Sequence, residues 1–169
     1  MDDAKDAQRD PEQQANRISH GARANYTGTS LEEFIYSTLL RKGYKFVEHR
    51  QFDAERFLDQ PIFTTHYPIA RSIYDTQLFC DFLIFHPTKH ADNLVIESKW
   101  QQSRGSVDEK FPFLVANIRE KYPHATIIVL DGGGYKKEAD RWLRAQIDGK
   151  LLHVFNMREF QTWSNGDDL

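Results

Sequence analysis

The sequence predicts an α/β fold, a mixed central β-sheet flanked by helices, and three observations predict it. Two apolar runs, 79–86 and 93–100, are joined by the turn-rich stretch His86-Pro87-Thr88-Lys89-His90-Ala91-Asp92-Asn93 and read as adjoining strands. Ahead of them, Leu31, Phe34, Ile35, Thr38 and Leu39 recur at helical spacing. Behind them, helical and strand patterns alternate from 108 to 155. At 169 residues and 40% hydrophobic content, the chain can close a core of its own.

Each element has a local reason. Residues 1–25 are polar, and the first twelve carry a net charge of −3, so a mobile segment is expected there, with at most a loose helix over 11–24. Ser30 is suited to cap a helix, with Glu33 at the capping-box position, and the helix over 31–42 stops at Gly43. At about 100° per residue, Glu32 lies beside the buried stripe and Glu33 points nearer to solvent. Residues 44–50 alternate as a first strand, 54–58 suit a helical turn and 63–72 an extended segment. The stretch 51–78 as a whole reads as an insertion, either a specificity element or an elaborated edge. A helix over 108–122, a buried strand over 125–130 and a tight turn at Asp131-Gly132-Gly133-Gly134 come next. A helix over 136–147, a short strand over 151–155 and a helical turn over 157–163 complete the chain. No repeat interrupts this order, and 26–169 reads as a single domain.

Composition narrows the function classes. The lone cysteine, Cys80, rules out an internal disulfide and fits a reducing compartment. No apolar stretch has the length of a signal peptide or membrane span, so a cytoplasmic protein without a membrane partner is expected. With the first twelve residues set aside, basic and acidic residues balance at 20 each. A neutral body binds nucleic acid only where positive charge gathers beside a site.

The candidate site lies on the two adjoining strands. Glu97-Ser98-Lys99 closes the apolar run Leu94-Val95-Ile96, and Asp81 interrupts the run 79–85. Charge on strands of this kind is costly unless partnered. Side chains alternate, so Val95, Glu97, Lys99 and Gln101 share one face, and Asp81 can meet Glu97 across the pair. Two converging carboxylates repel each other unless a divalent ion joins them. Mg²⁺ suits such oxygen ligands, with Mn²⁺ the expected substitute. Lys99 would orient a water or neutralise charge on a phosphate. The bland alternative, an ion pair with no catalytic task, is common for an acid-x-Lys triplet; placement on two apolar strands favours the active site.

Other features carry less. Arg104 and Lys110 can supply phosphate contacts, and Ser106 can cap the helix behind them; Arg119 and Lys121 read as a solvated face. The glycine turn lacks both GxGxxG and the Walker ending, so no nucleotide cofactor is expected. A zinc pair at His86 and His90 would need a helix, which Pro87 opposes. Cys80 is expected on the strand face opposite Asp81, beside Phe82 and Ile84, as a small core residue. The three tryptophans, Trp100, Trp142 and Trp163, are expected to be packing residues.

A helix bearing Gly28-x-x-Leu31-Glu32, a strand, Asp81 on a strand, Glu97-x-Lys99, then helix and strand resemble the PD-(D/E)XK nuclease superfamily. Cys80 stands where the named motif has Pro. The stretch Glu97-Ser98-Lys99-Trp100-Gln101-Gln102, with Gly105-Ser106 and Asp108-Glu109-Lys110-Phe111-Pro112, is most similar to type II restriction endonucleases, as is Asp131-Gly132-Gly133-Gly134-Tyr135. The resemblance implies a restriction endonuclease-like αβββαβ core and a Mg²⁺-dependent endonuclease acting on DNA. It implies 5′-phosphate and 3′-hydroxyl ends, with double-strand cleavage by a homodimer or by two successive nicks. Asp81 and Glu97 would hold the metal, Lys99 would be the catalytic lysine, Glu32 (or Glu33, in a shifted helix register) would assist the metal, and Gln101 would be an accessory residue. The rival readings are a Holliday junction resolvase or DNA-repair nuclease of the same superfamily, and a catalytically silent nucleic-acid-binding module.

Overall fold

A computed structural model describes residues 30–102 and 107–169. The expectations for residues 1–29 and for Arg104 and Ser106 fall outside the described residues, as does the capping role of the Ser30 side chain. The chain runs α1 (Ser30–Arg41), β1 (Lys45–Phe46), α2 (Phe52–Glu55), a 3₁₀ turn (Arg56–Leu58), β2 (Ile62–Arg71), β3 (Gln77–His86) and β4 (His90–Trp100). It continues through α3 (Val107–Glu120), β5 (Ala125–Asp131), α4 (Lys137–Arg144), β6 (Leu151–Phe155) and α5 (Met157–Asn165). The α/β class and the mixed sheet flanked by helices are as the sequence predicts.

The six strands lie in chain order in one sheet. β2, β3 and β4 form an antiparallel meander, whereas β1 joins β2, β5 joins β4 and β6 joins β5 in parallel. Parallel neighbours need crossovers, and α3 and α4 supply them. Residues from both helices, including Phe111, Val115, Ile118 and Leu143, pack in one core layer with Val95 and Leu83. Leu31, Ile35 and Leu39 of α1 and Phe160 of α5 pack in the other, against Phe82, Ile84, Leu94 and Ile96. The sheet is therefore covered on both sides, which is why β4 and β5 read as unbroken apolar runs.

Three expectations change. The first strand shrinks from 44–50 to the pair Lys45–Phe46, the residues of that stretch that pair in register with β2; past them only the Val47 amide reaches β2, at the Phe63 carbonyl. The stretch 51–78 is not an insertion: β2 within it pairs along the whole meander with β3. Its alternation is hard to read because His66 adopts a left-handed φ of 50° and Pro68 follows it. Cys80 lies in the core layer of Leu83, Phe85 and Val95, not in that of Phe82 and Ile84. The inward–outward alternation of β3 changes phase at Asp81, between Cys80 and Phe82.

That phase change coincides with a parting of strands. Pairing of β3 with β4 extends no farther than Phe82↔Ile96. Beyond it, β3 stays with β2 to Arg71↔Gln77, and β4 stays with β5 to Trp100↔Asp131. The cleft between them opens at Asp81 and Glu97.

Candidate active site

Burial on both sides of the sheet makes the strand parting the natural place for charge. Here the backbone of β4 lacks a β3 partner, and polar side chains take over. The Ser98 amide donates to Asp81 Oδ2 at 2.7 Å, replacing a ladder hydrogen bond with a side-chain one. Lys99 Nζ donates to Asp81 Oδ2 at 2.9 Å, to Glu97 Oε2 at 2.8 Å and to the Ser98 carbonyl at 3.0 Å. Asp81, Glu97 and Lys99 therefore come together on one ammonium. Tyr122, just beyond α3, donates its hydroxyl to the other Glu97 oxygen at 2.6 Å.

Glu32 reaches the cluster from the opposite layer. Ser98 Oγ lies 3.3 Å from Glu32 Oε1 and 3.4 Å from Asp81 Oδ2, so the serine links the helix acid to the strand acid. Glu33 is exposed on the far side of α1. The helical register thus puts Glu32, one residue from Leu31 of the buried stripe, at the cleft.

The electrostatics are unbalanced. Burial pushes the Glu97 carboxyl up to about 7; Lys99 opposes that shift and Asp81 adds to it. Burial also raises Glu32, with Asp81 repulsion behind it and Ser98 and Lys99 acting against it. For Asp81, burial works upward but is outweighed by the Lys99 ammonium and by hydrogen bonds from Lys99 and Ser98, which hold it below the usual carboxylate range. Lys99 is partly buried, yet its two carboxylate neighbours raise its affinity for a proton. Three carboxylates around one ammonium leave the cleft short of positive charge.

That deficit is the test of whether the residues suit a divalent ion. Among the described residues, no group of three or more His, Cys, Asp or Glu side chains is gathered to hold a metal. Mg²⁺ does not require such a cage, because it keeps several waters and takes one or two carboxylates. Asp81 and Glu97 already converge on a cation, so the donor set fits.

Gln101 is held by the backbone of two neighbouring segments. It is buried, and its side-chain amide donates to the Gly134 carbonyl at 3.2 Å and its side-chain oxygen accepts from the Val107 amide at 3.0 Å. The Gln101 backbone amide donates to the Asp131 carbonyl at 3.0 Å, continuing the β4–β5 ladder, and the side chain turns toward α3, in the core layer of Val95 and Tyr122. The side chain pins the glycine turn and the start of α3. Gly132 completes this junction: its φ is 100°, and a Cβ there would meet the Gln101 carbonyl oxygen at 2.4 Å. The glycine turn is thus a close backbone approach. Lys110 is exposed in the first turn of α3, while Arg119 is engaged with Asp148 at 2.7 Å.

Tyr122 is the site residue that sequence reasoning missed. Its only signal was a polar-tipped aromatic at the end of a helix leading into a buried strand. His86 and His90 face each other as register partners of the β3–β4 hairpin.

Fold and site together define an α/β protein with an acid–acid–lysine cluster where two strands of a mixed sheet diverge. A family model described as the PD-(D/E)XK nuclease superfamily domain matches residues 23–167, and the chain belongs to that superfamily. No curated protein and no solved structure matches the chain. Membership supports a nuclease acting on nucleic acid, and divalent metals are general to the superfamily. Among the described residues, no helix is long and apolar enough to cross a membrane.

Proposed function

We propose that this chain is a Mg²⁺-dependent endonuclease that hydrolyses DNA phosphodiester bonds, leaving 5′-phosphate and 3′-hydroxyl ends. The observation that carries it is the convergence of Asp81 and Glu97 on one cation, Lys99 Nζ, at 2.9 and 2.8 Å. Asp81 and Glu97 would hold the divalent ion, with Glu32 acting from the far side of Ser98. Bound there, the ion supplies Lewis-acid neutralisation of the phosphate and a more acidic water. Lys99, released from bridging, is placed to neutralise charge growing on the phosphate oxygens. Tyr122 holds one Glu97 oxygen and so fixes the direction of the other. The nuclease domain is taken as 26–169, in a cytoplasmic protein, with a homodimer or two nicks for double-strand cutting.

Restriction-type specificity is the narrower form of this reading, supported by the stretch from Glu97 to Pro112. A junction resolvase or repair nuclease shares the chemistry. Incubation with linear duplex, four-way junction, flap and single-stranded DNA, with and without Mg²⁺, separates them. End-labelling before and after phosphatase treatment reads the ends. A second reading, a silent binding module, draws on the Lys99 bridge, which satisfies both carboxylates internally. DNA binding with no cutting of any substrate in Mg²⁺ or Mn²⁺ would select it. Magnesium-dependent cutting lost in Asp81→Ala, with binding retained, selects the enzyme.

A further inference from the structure

The cleft has an aromatic neighbour that the cluster chemistry does not use. Phe79 lies two residues before Asp81 on β3, and 44% of it is exposed. His66, also exposed, stacks on it with ring centroids 4.4 Å apart and planes 2° from parallel. Among the described rings, most core pairs here meet edge-on or tilted, as Tyr36 and Phe63 do at 78°. The His66–Phe79 pair is flat and open.

Its position is built by the backbone. Ladder partners run Thr65↔Phe82 and Tyr67↔Cys80, so His66 falls opposite Asp81, where it takes the left-handed φ of 50°. A side chain other than glycine rarely adopts that conformation, and its cost is offset only if the surroundings hold it. The same irregularity that turns Asp81 into the cleft therefore turns the imidazole onto the Phe79 ring. Pro68, the ladder partner of Phe79, is exposed as well, so an apolar surface continues along β2.

We propose that the His66–Phe79 stack is a platform for one unpaired nucleobase of the DNA substrate, the base adjoining the phosphate held at Asp81. This rests on the nuclease reading and sharpens its substrate class. A base inside a continuous duplex has both faces covered by its neighbours, whereas a base at a single-stranded stretch, bulge or junction presents a free face. Two parallel rings flanking Asp81 on β2 and β3 accept a third ring by extending the stack, independently of base identity. The preferred substrate is then DNA with an unpaired base at the cut.

The test uses the full chain carrying Asp81→Asn to prevent cutting. It is titrated against oligonucleotides bearing 2-aminopurine as a single strand, as a one-base bulge and as a fully paired duplex. Stacking predicts quenching of 2-aminopurine in the first two, and Phe79→Ala weakens their binding about tenfold. Paired duplex changes less than twofold, and Phe79→Trp restores both signals. Phe57→Ala serves as control, since Phe57 is 89% exposed in the 3₁₀ turn before β2. Equal loss on all three substrates, or no loss on any, overturns the platform. Preference for the RNA versions of these oligonucleotides overturns the assignment to DNA. Cutting is measured separately with intact Asp81. A nuclease whose cutting and binding ignore Phe79 leaves the enzyme reading standing without the platform, whereas quenching without any cutting leaves the platform without the enzyme.

Discussion

Lys99 and Arg144 each sit between two carboxylates, and the contrast between their surroundings separates a site from a clasp. Arg144 donates to Asp140 at 3.0 Å, to Glu159 at 2.9 Å and to the Val154 carbonyl at 2.9 Å, joining α4, α5 and β6. Glu159 also accepts from the Asn156 amide in the capping box that starts α5. Burial would raise Glu159, but that amide and Arg144 hold it below the usual carboxylate range. Glu97 has a cation at similar distance and is nevertheless raised to about 7, because it lies in the core with Asp81 beside it. The residue types are nearly the same. Depth, with Asp81 repulsion added to it, makes the difference.

Removing each cation in turn separates the two clusters most sharply. Lys99→Ala is expected to lower Mg²⁺-dependent DNA cutting by about 10³-fold, the scale of losing a group that stabilises transition-state charge. Arg144→Met is expected to leave cutting per folded molecule within about twofold. Comparable losses in a matched cleavage assay would make Lys99 another clasp.

Gly132→Ala comes next. Its Cβ would press on the Gln101 backbone in a left-handed conformation, costing at least about 1–3 kcal/mol in urea unfolding. Because Gln101 is two residues beyond Lys99, cutting per folded molecule also falls, while the Arg144 clasp is untouched. Tyr122→Phe removes the hydroxyl from Glu97 and is expected to cost about 1–2 kcal/mol of stability, with a several-fold lower kcat and an unchanged KM. Arg144→Met is the mildest for stability, at about 1 kcal/mol by chemical denaturation. Its ion pairs are about a third exposed, and solvent screens them.

The two apolar strands of the site and the strand at 151–155 were legible because each is a short apolar run bounded by turn residues. Helix α1 was legible through its stripe, and that stripe, with the Gly28-x-x-Leu31-Glu32 pattern, ranked Glu32 above Glu33. The bonds of Gln101 to Val107 and Gly134 had no local trace, because they depend on where α3 and the glycine turn pack. The expected first strand was too long, since edge pairing depends on a partner that local pattern does not reveal. Tyr122 and the parting of β3 from β4 are consequences of long-range packing, with only faint local traces. The left-handed His66 breaks strict alternation, so 63–72 read only as an extended segment where the chain forms β2.

The ammonium of Lys99 has one more effect, on how the protein can be handled. Because Lys99 already bridges Asp81 and Glu97, the chain is expected to reach and keep its shape without a dissolved metal. Dialysis against EDTA is expected to silence cutting while the circular dichroism spectrum and melting temperature stay put, and adding Mg²⁺ back restores turnover without any refolding step.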